Sequence, residues 1–158
     1  LDQRQYRRGV YIHWQRQFLH PMLKALDAPS REECTAQRAR SNTPLEALVM
    51  LNDPSMIDAA VAFAADLLKV VDENSPTKIK RAFELTVSRK PDSFELAALS
   101  KLLESEIKHY SAQPQDAEKL LDTVDKNIDF QTVDPQELAA WTTITRALLN
   151  LQETVTRY

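Results

Sequence analysis

DPSMIDAAVAFAADLLKVV, residues 53–71, is the stretch that decides the fold. Ile57, Val61, Ala64, Leu68 and Val71 recur at steps of four and three. That spacing lays one apolar stripe along one helix face. The stretch opens on Asp53-Pro54. An aspartate before a helix accepts hydrogen bonds from its first free amides. A proline at the first helical position gives up no needed donor and has φ preset.

The same device recurs at Thr43-Pro44, Ser75-Pro76 and Asp134-Pro135, and in weaker form at Gln113-Pro114. Helical stripes accompany it. They run through Ile79, Phe83 and Val87, then Leu96, Leu99, Leu103, Ile107 and Tyr110. Two more follow, through Ala117, Leu121, Val124 and Ile128, and through Leu138, Trp141, Ile144, Leu148, Leu151 and Val155. The pattern predicts helices near 44–52, 54–72, 76–89, 93–111, 114–126 and 135–156. Asn52 and Asp53 interrupt the first stripe, which predicts a corner there. The expected fold is all-α, an irregular bundle of five to seven helices with the long final helix packed centrally.

The first 43 residues read differently. Val10, Ile12 and Trp14 alternate with Tyr11, His13 and Gln15, a strand-like pattern, although the Gln, Arg and Leu that follow leave a helix open. The stretch 21–42 carries Pro21, Pro29 and many polar residues. It reads as an ordered loop with room for a short β-element near Cys34. The expected organisation is a single helical domain over 1–158, with an Arg-rich segment, 1–43, wrapping a bundle formed by 44–158.

Composition narrows the function classes. The chain has 158 residues, 43% of them hydrophobic and 27% charged, which is one domain's length and an ordinary balance. It has one glycine, Gly9, where about eleven are usual. Glycine-rich phosphate loops, the dinucleotide fingerprint and the nucleophile elbow each need at least two. With a single cysteine, Cys34, there is no intrachain disulfide, no zinc site of several thiolates and no CxxCH haem attachment. His13, His20 and His109 lie at no i, i+4 spacing, so no helical metal pair is expected. The longest apolar run is broken by Asp66 and Lys69, short of a membrane span. Residue 1 is Leu, and no signal-peptide pattern follows, so the chain reads as a piece of something longer.

The net charge is −3, unevenly spread. Residues 1–43 hold eight basic and four acidic residues, a net +4. Residues 44–158 hold twelve and nineteen, a net −7. The two parts can attract each other within the chain. A nucleic-acid surface would call for a basic whole, and this chain is acidic. The interleaving of Tyr6, Tyr11, Trp14 and Phe18 with Arg7, Arg8 and Arg16 suits base stacking, and equally a core-facing element with a wet arginine face. Cys34 stands beside Glu32 and Glu33, which would raise a thiol pKa rather than activate it. Asp122 and Asp125 fit a solvated face.

The best polar constellation is DAPSREECTAQRARSNTP, residues 27–44. Arg31, Arg38 and Arg40, with Asp27, Asn42, Thr43, Asn52 and Asp53, form either of two things. One is a fork-like anion site, with the free amides of the helix starting at Pro44. The other is a structural clasp that supplies partners to the backbone of a long loop.

Four blocks carry a family resemblance: YRRGVYIHWQRQF, DAPSREECTAQRARSNTPLEALVMLND, KIKRAFELTVSRKP and DPQELAAWTTITRALLNLQETVTR. In this order they resemble the C-terminal part of a planctomycete-specific domain family of unknown function. Asn42, Thr43, Pro44, Leu45, Ala47, Leu48, Leu51, Asn52 and Asp53 match its Arg-rich, Asn-Thr-Pro-Leu-Gln-Ala-Leu and Leu-Asn-Asp pattern. Glu46 replaces a glutamine, and near the end Gln152 replaces an aspartate after matching Asn150 and Leu151. The resemblance implies a large exported parent protein, periplasmic or of the cell envelope. Such relatives often carry a cytochrome-c-like haem domain and are encoded beside sulfatase-like genes. It offers no established catalytic residue to carry over, and no cofactor is expected in this chain, with any haem elsewhere in the parent.

Two functions follow as expectations. One is a non-catalytic scaffold or binding module that meets another domain of its parent or an anionic glycan. The alternative is part of an enzyme acting on polysaccharide or its sulfated derivatives, with the Asp27–Asp53 region in its site.

Overall fold

The computed structural model describes residues 11–14, 18–29, 32, 34–37, 43–70, 73–125, 128–130 and 133–155. Among them run α1 (Pro21–Ala25), α2 (Pro44–Asn52), α3 (Pro54–Leu68), α4 (Ser75–Val87), α5 (Ser93–Ala112), α6 (Pro114–Asp122), α7 (Pro135–Leu149) and α8 (Gln152–Val155). No strand occurs among the described residues. The fold is all-α, an irregular helical bundle, as the stripes predict.

The proline-marked starts hold with one shift. Thr43 Oγ1 accepts from the Glu46 amide at 3.2 Å, Asp53 Oδ1 from Ser55 at 2.9 Å and Asp134 Oδ2 from Glu137 at 2.9 Å. At α4 the cap is Asn74, not Ser75: its Oδ1 accepts from the Thr77 amide at 3.0 Å, and Ser75 is already helical. Gln113 makes no side-chain cap, in keeping with its weaker signal. The α2–α3 pair bends by 61°, the corner expected at Asn52 and Asp53.

Several boundaries differ from the sequence reading: α3 ends at Leu68 and α6 at Asp122, short of the expected 72 and 126. Pro21–Ala25, read as loop, is a short helix with Pro21 in its first turn. The last stripe, read as one helix, breaks at Asn150, whose amide reaches back to the Arg146 and Ala147 carbonyls. The Thr154 hydroxyl then donates to the Leu148 carbonyl at 2.8 Å, supplying a partner at the end of α7. Around Cys34 the described residues form no strand, and the thiol is exposed.

The core is built around α7. Leu138, Ala139, Ala140, Trp141, Thr142, Ile144, Thr145 and Leu148 are all buried. These positions circle the helix rather than forming one stripe, and α7 packs against α2, α3, α4, α5, α6 and α8. Its principal neighbour, α3, presents Val61, Ala64, Ala65 and Leu68; small side chains let two helices approach closely. The buried Thr145 hydroxyl donates across this contact to the Ala60 carbonyl at 2.8 Å. Asp58, also buried, accepts from the Asp125 amide at 3.0 Å, tying the chain after α6 to α3. Val61, Ile79, Phe83, Leu103 and Val124 complete the core cluster with the α7 residues.

Trp141 is 1% exposed and Phe94 is 80% exposed. Trp141→Ala should therefore lower the unfolding free energy by about 3–5 kcal/mol, and Phe94→Ala should change it by less than about 0.5 kcal/mol. Urea titrations followed by circular dichroism check both.

Candidate functional site

The polar segment singled out in the sequence is only partly open to description. Arg31, Arg38, Arg40 and Asn42 lie outside the described residues. Three of the four that are described, Thr43, Asn52 and Asp53, serve helix α2 or the start of α3. Thr43 and Asp53 cap α2 and α3. Asn52 Nδ2 donates to the Leu48 carbonyl at 2.8 Å. Asp27 follows α1 with φ 56°, a left-handed conformation that aspartate tolerates better than most residues, and its amide donates to the Lys24 carbonyl at 3.2 Å.

Thr43 does not join Asn52 and Asp53 in one constellation. They sit at opposite ends of α2, whose nine residues span roughly 13 Å. Its amino end would favour an anion; its carboxyl end, where Asn52 lies, would not. That carboxyl end meets a cation from within the fold, for Arg146 Nη2 of α7 donates to the Leu51 carbonyl at 2.6 Å.

This front region is distinctive in its packing. Among the described residues, none before Ile57 enters the core cluster. No residue of α2 is fully buried, although seven of its nine side chains are apolar or proline. Leu45 and Leu48, three apart and so on one face, are 58% and 57% exposed. Tyr11, Ile12 and Phe18 are exposed as well. α2 thus lies on α3 and α7 with one side and offers apolar surface on the other.

A second constellation was missed in the sequence. Arg89, in the turn after α4, engages two carboxylates. Its Nη1 and Nη2 donate to Glu95 Oε2 and Oε1 at 2.8 and 2.6 Å. Its Nε and Nη2 donate to Glu153 Oε2 and Oε1 at 2.9 and 3.1 Å. Nη1 also reaches the Lys90 carbonyl at 3.3 Å. The guanidinium lies 4.8 Å from the Phe83 ring centroid, a cation–π distance.

Glu95 is itself half of a capping box. Its Oε2 accepts from the Asp92 amide at 2.8 Å while Asp92 Oδ1 accepts from the Glu95 amide at 2.7 Å. The guanidinium of Arg89, and then the Asp92 amide, hold the Glu95 carboxyl down to about 2. The Asp-x-x-Glu spacing of the capping box is visible in the sequence. The partner 64 residues away, Glu153, is not.

Smaller polar groups remain outside both regions. At the α5–α6 corner, Asp116 pairs with Lys119 at 2.8 Å and lies 3.8 Å from His109. The Lys119 hydrogen bond and charge hold Asp116 below the usual carboxylate range, with a smaller contribution from His109. Among the described residues, no group of three His, Cys, Asp or Glu side chains could hold a metal ion. No single helix among them is long and apolar enough to cross a membrane.

Residues 1–103 match the family described as PSD1, protein of unknown function (DUF1553). The chain belongs to this family. The match takes in the front region, the α2–α3 corner and Arg89. It ends inside α5, so the block at 134–157 lies beyond it. Neither the curated proteins nor the solved structures gave a match.

Glu95 has its carboxyl pKa lowered from 4.5 to about 2. Its contribution to stability is therefore complete above about pH 4.5 and is lost as the pH falls toward 2. In Glu95→Gln the acid limb of the stability profile should be shallower over that window, with lower stability at pH 7. Urea midpoints measured from pH 7 to pH 2.5 check this.

Proposed function

We propose that this chain is a non-catalytic scaffold or binding module, and that it meets another domain of a larger parent protein through its front region. The observation that carries this reading is the exposed apolar side of α2, at Leu45 and Leu48, in a region that adds nothing described to the core cluster. A helix apolar on two opposite sides is suited to lie between two bodies, and the bundle supplies only one of them.

The engagement of the described polar residues supports the same reading over an enzymatic one. The capping oxygens of Thr43 and Asp53 are occupied by backbone amides, and Asn52 serves its own helix. Family membership agrees with a domain of uncharacterised function. The resemblance to planctomycete-specific domains supports an exported parent with a cytochrome-c-like domain, in which any haem would lie outside this chain. An anionic glycan is the other ligand for this region, through the Arg-rich composition of residues 1–43.

Calorimetry against the separately produced remaining domains of the parent, and against heparin as an anionic glycan, tests the proposal. Binding to a parent domain should weaken at least tenfold in Leu45→Glu/Leu48→Glu, with the far-ultraviolet spectrum unchanged. Heparin binding that falls steeply with salt and ignores this double substitution would move the reading to the glycan. Absence of both interactions in the intact chain would overturn it.

A further inference from the structure

The family match stops at residue 103, which falls within α5, at its one fully buried residue, Leu103. A helix in mid-course is no place for the edge of a folded unit. The structure assigns a larger one: residues 104–155 belong to the same cooperative unit as the matched stretch, and α7, wholly beyond the match, is its centre.

Three kinds of contact carry this. The first is burial. The inward faces of α3, α4 and α5, at Val61, Ala64, Leu68, Ile79, Phe83 and Leu103, share one cluster with Leu138, Trp141, Ile144 and Leu148. Without α7 those faces would meet water, because its side chains are what they pack against in the cluster. The second is polar. The Thr145 hydroxyl donates to Ala60, the Asp125 amide to Asp58 and Arg146 to Leu51; each joins a residue beyond 103 to one within the match. The third is the closure by Arg89, which holds Glu95 within the match and Glu153 beyond it. The matched stretch therefore holds part of this core rather than the whole of it.

Hydrogen–deuterium exchange on the full chain tests this without relying on a fragment. The slowest amides of α3, α5 and α7 should exchange at the rate set by one global opening. Ile144→Val, a mild change beyond the match, should speed the slowest amides of α3 and α7 by the same factor, about fivefold. Thr145→Val, which removes the hydroxyl bond to Ala60, should likewise move both helices together. An α7 that exchanges well before α3 in the unaltered chain, or substitutions that speed α7 alone, would overturn the assignment. The experiment does not depend on any partner, so its outcome is separate from that of the binding test.

Discussion

Helix α7 must be covered on nearly all of its sides, and the rest of the bundle is arranged to meet that requirement. A helix with one apolar stripe can lie on a surface. One with Leu138, Ala139, Ala140, Trp141, Ile144 and Leu148 all buried has to be surrounded. α3 supplies a small-residue face on which it can lie closely, α5 and α6 cover other sides, and α4 closes beside Phe83 and Ile79. The two buried threonines fit this setting because their hydroxyls find carbonyls, Thr142 at Leu138 and Thr145 at Ala60. A buried hydroxyl without a partner would cost free energy.

Polar contacts then join the helices at particular points. Arg146 holds the end of α2 against α7, and Arg89 holds the last short helix against the start of α5. The Arg89 network lies at the surface, where an isolated ion pair adds little. Its geometry is more favourable than an isolated pair, with two carboxylates held side-on by one planar guanidinium. These contacts join sequence blocks that lie far apart. The blocks 78–91 and 134–157, quoted for their resemblance, meet in space through Arg89 and Glu153.

The helices were legible because their signals are local. An aspartate or threonine before a proline names a start, and steps of three and four name a face. The central place of the final helix was legible too, from the long stripe that runs through Leu138, Trp141, Ile144 and Leu148. The break at Asn150 was not, because it turns on Thr154 reaching back to Leu148, a side-chain contact that leaves no mark on periodicity. Asn74 was passed over for Ser75 because both can cap and only backbone geometry separates them. At the polar segment, residue types suggested convergence, but Thr43 and Asn52 lie at the two ends of a nine-residue helix. Arg89 stood in plain view, yet its meaning depends on Glu153, 64 residues away.

The molecule therefore divides by role. From Ile57 onward the described chain builds a closed core, whereas α2 rides on it with Leu45 and Leu48 turned outward. The closed part gives the front region a base of packed helices, which is what the proposed binding module would need from its fold. The central claim is that α7 sits at the middle of this base, and Trp141 reports on it directly. In a Trp14→Phe variant, Trp141 is the sole tryptophan. Its emission should be blue-shifted, resist acrylamide quenching in the native state, and redden at the same urea concentration at which the helical signal is lost. Red-shifted, readily quenched emission in the native protein, or reddening well before the helices melt, would contradict the account.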